Sequence, residues 1–285
     1  MYHSVRQTEI DATNVPLQRV FGAARVGFRN RGGATRLADL YQSGSAKVRL
    51  PRIYTGAPTA VLINTAGGLT GGDRLNYDIV LSGGTHAIVT TQAAERAYRS
   101  PAGTARIDVG LTAGNGSTLE WLPQETILFD RSALRRRITA DLTGSARLLA
   151  MESVVIGRPA MGEIIEYLEF GDRWRVRRDG KLVFADDVRV LGDPAEALSG
   201  KAAADGHTAF AGLVDCSMDA VDRLPRARAA LDAVKAARPV TAAASARDGV
   251  LTVRFVASDG RNLRDGLMAF LHHYRAAELP RVWRC

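Results

Sequence analysis

The loop Gly67–Asp73, with the sequence GGLTGGD, has the residue types and spacing closest to those of a ligand-binding loop. It follows the apolar run AVLINT, and a glycine-rich loop after a strand often binds phosphate through its backbone. Gly67 and Gly72 have the P-loop spacing, but Asp73 stands where that loop requires lysine, and its carboxylate would repel phosphate. Leu69 occupies the second glycine position of the dinucleotide pattern. The sequence therefore predicts a loop of unusual backbone conformation that ends in a carboxylate, and two tight turns with Asp73 as the turn acceptor remain the alternative.

Histidines and cysteines lack the spacing of a metal site. Cys216 and Cys285 lie far apart and form no C-x-x-C pair, so neither a disulfide framework nor a zinc site is predicted. His272 and His273 are adjacent on a predicted helix and point about 100° apart, which makes them poor joint ligands. We therefore expect no permanently bound metal or cofactor. Two isolated thiols fit a reducing cytoplasm best.

Carboxylates are abundant in the sequence, and pairs of them can perform general acid and base catalysis. A hydrolase or isomerase whose acids meet in acid-rich loops is therefore one alternative. No G-x-S-x-G elbow is present, and neither cysteine has the context of a nucleophile. The acids that such an enzyme could use are Asp73, Glu95, Glu120, Glu125, Asp130, Glu152, Glu163 and Glu166.

The chain has 285 residues and a formal net charge of +8, which points to an acidic partner. Its arginines are dispersed, and the dense runs Arg135–Arg137 and Arg173–Lys181 lack the aromatic residues of a single-strand binder. A nucleic-acid-binding protein is therefore the less favoured alternative. No apolar run reaches the roughly 18–20 residues that a membrane helix needs, so no membrane partner is expected.

The elements that position these residues are predicted to be mainly strands, because alternating and β-branched runs dominate as far as about residue 215. Asp179-Gly180 and Asp248-Gly249 indicate two hairpins. Residues 193–206 are predicted to form a polar loop. The predicted strands are 20–28, 46–50, 59–65, 76–82, 85–91, 105–112, 117–122, 137–143, 146–157 and 163–170.

Two helices are predicted near the C-terminus. Pro225 suits the first turn of a helix over 225–238, and Pro239 lies just past its end. The second helix, over 262–278, carries an apolar stripe at helical spacing, which indicates packing against the strands.

Five segments together resemble the UreD/UreH family of urease accessory proteins. They occur in the family's order and span the chain from about residue 20 to its end. Arg96 stands where the family commonly has lysine, and Gln124-Glu125 stands where Asp-Pro is frequent; both departures keep charge or polarity. The segments are NTAGGLTGGD (64–73), TTQAAERAYRS (90–100), LPQETILFDRSALRRR (122–137), ESVVIGRPAMGE (152–163) and LPRVWRC (279–285).

The resemblance implies one domain over 1–285, built as a mainly β, helical β-structure of many short strands with two α-helices near the C-terminus. It implies a cytoplasmic scaffold without catalytic activity of its own. Such a scaffold binds a helical UreF-type protein, through it a UreG-type GTPase, and docks on apo-urease so that nickel reaches the active site.

The family is also proposed to hold an internal polar passage that nickel crosses transiently. Scattered carboxylates and hydroxyls suit such a relay, because a closed His/Cys cage would retain the ion. Alanine variants of Asp73, Glu152 and Glu163 are expected to assemble with the partners and yet to yield less active urease. The residues predicted to face the path are Asp73, Thr90, Thr91, Glu125, Glu152 and Glu163.

Overall fold

Strands make up about half of the part of the chain that the computed structural model describes, which is residues 18–53, 56–158 and 162–284. The predicted domain extends beyond these ranges at both ends, by residues 1–17 and by Cys285. Residues 159–161 of the fourth family segment also lie outside them. In chain order the strands are β1 (Phe21–Arg31), β2 (Ala34–Gly44), β3 (Ala46–Arg49), β4 (Thr59–Asn64), β5 (Arg74–Leu81), β6 (His86–Thr91), β7 (Glu95–Ala97), β8 (Ala105–Ala113), β9 (Thr118–Trp121), β10 (Thr126–Leu128), β11 (Ala133–Leu142), β12 (Arg147–Ile156), β13 (Leu168–Arg178), β14 (Lys181–Gly192), β15 (Ala209–Asp215), β16 (Val240–Arg247) and β17 (Val250–Ala257).

These strands form two sheets that the chain visits in alternation. The seven-stranded sheet has the order β14-β13-β11-β8-β5-β1-β2. The ten-stranded sheet has the order β16-β17-β15-β12-β9-β6-β4-β3, with β10 beside β12 and β7 beside β10. From β4 to β13 the long strands pass in turn from one sheet to the other, and neighbours within each sheet are parallel. This coiling confirms the predicted helical β-structure.

The connections at the two edges of the coil differ in length. Short turns over 82–85, 114–117 and 143–146 join the seven-stranded sheet to the ten-stranded sheet, and each contains a glycine with positive φ, at Gly84, Gly116 and Gly144. The return connections over 65–73, 92–104, 122–132 and 157–167 are longer. Four of the family segments fall on these long connections, so the coil brings them to one edge.

Two α-helices near the C-terminus confirm the sequence prediction. They are α2 (Leu224–Ala237) and α3 (Gly260–Arg275), and they follow the short α1 (Pro194–Leu198), which lies in the region predicted as a loop. Asp259 caps α3, since its side chain accepts a hydrogen bond from the backbone N–H of Asn262. The helices pack on the ten-stranded sheet and form a second apolar core, while the first core fills the space between the sheets. No helix in the described ranges is long and apolar enough to cross a membrane.

The predicted strands differ from the structure in several places: β7, β10 and β15 were not predicted, and β11 begins at Ala133 rather than at 137. Residues 163–167 are not a strand, because Asp130 Oδ1 accepts hydrogen bonds from the backbone N–H groups of Glu166 and Tyr167 and holds them in the fourth long connection. The strand begins at Leu168 instead. The edge strand β2 was missed because nearly all of its side chains are exposed, so its sequence has no alternating pattern.

Candidate functional site

Three charged side chains meet between the two sheets. Arg136 donates two hydrogen bonds to Asp172, from Nε to Oδ1 at 3.0 Å and from Nη2 to Oδ2 at 2.7 Å. Its Nη1 atom lies 2.5 Å from Oε2 of Glu152. The exposed fraction of these side chains is between 3% and 7%. Arg136, Glu152 and Asp172 are called the interior cluster below.

Strand alternation places the interior cluster inside the molecule. Arg136 lies in β11 directly opposite Asp172 in the parallel strand β13, and Glu152 faces them from β12 of the other sheet. Because side chains alternate along a strand, the positions two residues before and after each member point the same way. All six of those positions belong to the apolar core between the sheets: Leu134, Ile138, Ala150, Val154, Phe170 and Trp174.

Neutral groups complete the hydrogen bonding of the interior cluster. Trp121 Nε1 donates to Glu152 Oε1 at 2.9 Å, and Arg136 Nη1 donates to Thr126 Oγ1 at 2.9 Å. Two carboxylates nevertheless face a single guanidinium, so the fully ionised cluster has a net charge of −1. Buried charge of this kind is costly unless it is compensated.

Protonation relieves part of this cost. Burial raises the pKa of Glu152; Arg136 acts against this and Asp172 adds to it, with a resulting pKa of about 7. Burial also acts against the charged form of Arg136, but Asp172 and Glu152 outweigh it and raise the pKa of the guanidinium. Arg136 therefore stays charged, while Glu152 exchanges a proton near neutral pH.

The interior cluster separates two spaces in the protein. On one side is a cavity of about 170 Å³, whose lining includes Thr91, Trp121, Arg136 and Glu152. On the other side is a void of about 20 Å³. Glu152 lines both spaces. The void is further lined by Asp172 and by the ion pair between Asp186 and Arg254, whose Oδ2 and Nη2 atoms are 2.6 Å apart.

A second carboxylate lines the larger cavity. Glu95 accepts hydrogen bonds from Asn64 Nδ2 at 3.2 and 3.3 Å and from the backbone N–H of Arg96 at 3.0 Å. Burial raises the pKa of Glu95 against these hydrogen bonds. Burial and, to a lesser extent, Glu95 also raise the pKa of Tyr77, which lines the same cavity. The cavity therefore has acidic groups at more than one position along its wall.

Asp73 closes the glycine-rich turn. Its Oδ1 atom accepts from the backbone N–H of Val20 and its Oδ2 atom from that of Thr70, both at 2.8 Å. The side chain is buried, and it does not line the cavity beside the interior cluster. Both oxygens thus serve backbone groups, as in the tight-turn alternative drawn from the sequence.

The adjacent threonines point to opposite faces of β6. Thr91 lines the cavity, and its hydroxyl accepts from the backbone N–H of Gln124 at 2.9 Å. Thr90 faces the helices, where its hydroxyl accepts from Trp283 Nε1 at 3.1 Å. Alternation along a strand makes this separation unavoidable.

The two remaining predicted residues are ion-paired in long connections. Glu125 Oε2 lies 3.1 Å from Nη1 of Arg264 on α3. Glu163 Oε2 lies 3.3 Å from Nε of Arg158, and its Oε1 accepts from the backbone N–H of Asp130 at 3.4 Å. Of the six predicted path residues, the structure brings Thr91 and Glu152 to the cavity and leaves the other four outside its lining.

Sequence reasoning missed the grouping of Arg136 and Asp172 with Glu152, and it missed Glu95 as a second acid in the wall of the same cavity. A usable signal exists for the first two, because each is a charged residue at an inward position of an alternating strand. In the sequence, Arg136 stands out only as part of the basic run Arg135–Arg137 and of the third family segment. Glu95 has no such signal, because it lies in the three-residue strand β7.

The arrangement offers oxygen ligands but no closed metal site. Within the described ranges, no three His, Cys, Asp or Glu side chains are grouped so that they could hold a metal ion. The two carboxylates of the interior cluster are held by Arg136 and Trp121. A cation that binds there must displace a proton or the guanidinium.

The fold and the site define a class of protein: a two-sheet β-solenoid with helices on one sheet and an acidic polar cluster between the sheets. The chain matches the family described as UreD urease accessory protein over residues 21–284. It therefore belongs to the UreD family of urease accessory proteins, and its role lies in the maturation of urease.

Similar proteins cover nearly the whole chain. The urease accessory protein UreD of Azorhizobium caulinodans is 42% identical, over 93% of this chain and 97% of that protein. The UreD proteins of Chelativorans sp. and Jannaschia sp. are 44% and 45% identical, over 98% and 96% of this chain and 99% of each relative. These matches agree with the resemblance found in the five sequence segments.

Proposed function

We propose that this protein passes nickel, as cargo, through its interior to apo-urease, and that it does so as a scaffold without catalytic activity of its own. The observation that carries the proposal is the interior cluster, in which one guanidinium faces two buried carboxylates between the cavity and the void. The choice of a UreF-type protein and a UreG-type GTPase as further partners rests on the resemblance to the family.

Charge favours a cation at this position. The ionised cluster has a net charge of −1 in a buried environment, where interactions between charges are stronger than in water. Near neutral pH a proton on Glu152 neutralises the excess charge. A divalent cation can replace that proton. The cluster can therefore accept an ion, and the proton compensates its charge when no ion is bound.

Weak coordination favours release. Carboxylate oxygens are poorer ligands for nickel than imidazole or thiolate, and the described residues contain no grouped set of three donors. Glu95 in the cavity wall and Asp186 in the lining of the void offer oxygen ligands on either side of the cluster. A series of weak sites allows an ion to move on, whereas a closed site would retain it.

The proposal is tested by activating purified apo-urease with nickel, the UreF-type and UreG-type partners and GTP. Glu152→Gln and Asp172→Asn remove the negative charge of the interior cluster at nearly constant volume. Both variants should co-purify with the partners as the wild type does and give urease of lower specific activity.

Asp141→Asn is the matched control. Asp141 lies on β11 five residues after Arg136, but its side chain is exposed on the outer face of the sheet. This variant should activate urease normally. Full activation by both cluster variants, with partner binding intact, would rule out passage through the interior cluster.

A further inference from the structure

One row of side chains on the outer face of the seven-stranded sheet is strongly basic. The parallel and antiparallel registers place Phe21, Arg74, Arg106, Arg135, Gly171 and Arg189 side by side across six neighbouring strands. Neighbouring strands lie about 4.8 Å apart, so like charges stand directly opposite one another. Arg74, Arg106, Arg135 and Arg189 are called the arginine row.

The arginine row is exposed and poorly neutralised. Arg135 pairs with Glu169 at 2.9 Å. The side chains of Arg74, Arg106 and Arg189 make no hydrogen bond or ion pair with any residue that the structure describes. Like charges opposite one another destabilise a sheet, so the row is unfavourable in the isolated chain and becomes favourable when anions cover it.

No described helix covers the sheet that carries the row. Its strands β5, β8, β11 and β13 are parallel, and parallel sheets are normally covered on both faces. In this protein α2 and α3 pack on strands of the ten-stranded sheet. The outward side chains of the seven-stranded sheet remain exposed or half-buried, so this face is available to a partner.

A groove of about 750 Å³ marks where an anion fits. Gly171 forms its floor between Arg135 and Arg189, and a Cβ atom added there would meet only Arg135 Cγ, at 4.0 Å. A carboxylate seated above Gly171 would have a guanidinium on each side. Such charge-assisted hydrogen bonds are the stronger kind.

We propose that the outer face of the seven-stranded sheet docks an acidic protein surface, with the arginine row as the main contact. This docking role rests on the proposed function, since the acidic surface belongs to a protein of the urease-activation assembly. A partner so docked covers the parallel sheet and neutralises the row.

A protein suits this face better than a nucleic acid. Asp108, Glu169 and Asp187 line the same groove as the arginines and would repel a continuous phosphate backbone. A protein surface can present carboxylates to the arginines and basic groups to these acids. Exposed Phe21 and Leu191 flank the row and add the apolar contacts that are common in protein interfaces.

Binding measurements with immobilised full-length chain test the proposal. The probes are apo-urease, the purified UreF-type protein and a single-stranded oligonucleotide, each at low and at high salt. Arg106→Glu/Arg189→Glu reverses the row, and Gly171→Glu places a carboxylate in the groove. Both variants should bind at least one of the two proteins about tenfold more weakly or worse.

Two controls separate docking from general charge and from shape. Lys181→Glu/Arg247→Glu makes the same change in net charge at two exposed hairpin ends, and Gly171→Ala adds volume without charge. Both should bind like the wild type. Thermal unfolding checks that each variant is folded, and the single substitution at Gly171 keeps the test valid if the double reversal does not fold.

The binding experiment distinguishes failure of the docking role from failure of the proposed function. Unchanged affinity of both row variants for both proteins overturns the docking role, and so does a loss confined to the oligonucleotide. If those variants bind normally while the wild type still activates urease, only the docking role fails. If the wild type binds neither protein and activates no urease, the proposed function fails and the docking role fails with it.

Discussion

Arg136 and Glu152 join the two sheets through the centre of the solenoid, with Nη1 of the one 2.5 Å from Oε2 of the other. Asp172 lies on the other side of the same guanidinium. Arg136 is therefore the counter-charge for both carboxylates. Its removal would leave two buried acids in an apolar core, whereas removal of one acid leaves a balanced pair.

Arg136→Met should lower the free energy of unfolding by about 3–5 kcal/mol, because breaking a buried pair leaves uncompensated charge. Arg135→Met, at the next position of β11, is the control, since its side chain is 66% exposed and pairs with Glu169 at the surface. That control should cost about 0–1 kcal/mol. Urea unfolding measures both, and equal losses would contradict a special role for the interior pair.

The predicted strands over 137–143 and 163–170 leave Arg136 and Asp172 outside, although the sequence carries a signal for both. Once β11 begins at Ala133, alternation from Leu134 to Leu142 places Arg136 on the inward face, and the same argument applies to Asp172 in β13. The alternating pattern does not show that Arg136 and Asp172 lie opposite Glu152, because that arrangement depends on how successive turns of the solenoid stack.

Long connections are harder to predict than strands. Local patterns extend an apolar strand back to residue 163, but the carboxylate of Asp130, 36 positions before Glu166, accepts hydrogen bonds from the backbone there and prevents strand pairing. The tight-turn role of Asp73 was open to prediction from its glycines. Its second acceptor bond, from Val20, spans 53 positions and has no local signal.

The stability of the protein should depend on pH through Glu152. Burial raises the pKa of this carboxyl from 4.5 to about 7, so between these values the folded state binds more protons than the unfolded state. Stability from this group is fully present below pH 4.5 and is lost as pH rises towards 7. The free energy of unfolding falls by about 3 kcal/mol in total, at about 1.4 kcal/mol for each pH unit.

Glu152→Gln removes this titration and should therefore gain stability relative to the wild type as pH rises. Urea unfolding of both proteins between pH 5 and pH 8 measures the difference. A difference that stays constant over the range would show that Glu152 titrates as an ordinary exposed acid does.

Asp73 should act on stability rather than on the path of nickel. Asp73→Ala leaves the N–H groups of Val20 and Thr70 without their acceptor, at a cost of about 1–3 kcal/mol for each buried group. Asp73→Asn keeps one oxygen and should lie between the alanine variant and the wild type. Chemical unfolding measures these losses.

Urease activation by the same Asp73 variants separates the two roles. Normalised to the amount of folded protein, activation should equal that of the wild type. A folded Asp73→Asn protein with wild-type stability and reduced activation would instead place this carboxylate on the route of the metal.

Trp283 should anchor the C-terminal segment to the ten-stranded sheet. Its side chain is 1% exposed, and its Nε1 atom donates to Thr90 Oγ1 at 3.1 Å and to the carbonyl oxygen of Leu122 at 3.3 Å. Arg264 on α3 lies over the indole ring, 5.2 Å from its centroid, and donates to the Trp283 carbonyl at 2.8 Å. The indole thus links β6, α3 and the chain end.

Trp283→Ala should cost about 3–5 kcal/mol, as large-to-small changes in a core do. Trp283→Phe keeps most of the apolar volume and loses the indole N–H, so its cost should be smaller. Thr90→Val removes one of two acceptors and should cost about 0.5–1.5 kcal/mol. Unfolding of the three variants should follow this order, with faster hydrogen exchange in residues 279–284 of Trp283→Ala.

Since Thr90 faces the helices, Thr90→Val should also activate urease normally. A loss of activation in a stable Thr90→Val protein would require a second metal route outside the space between the sheets.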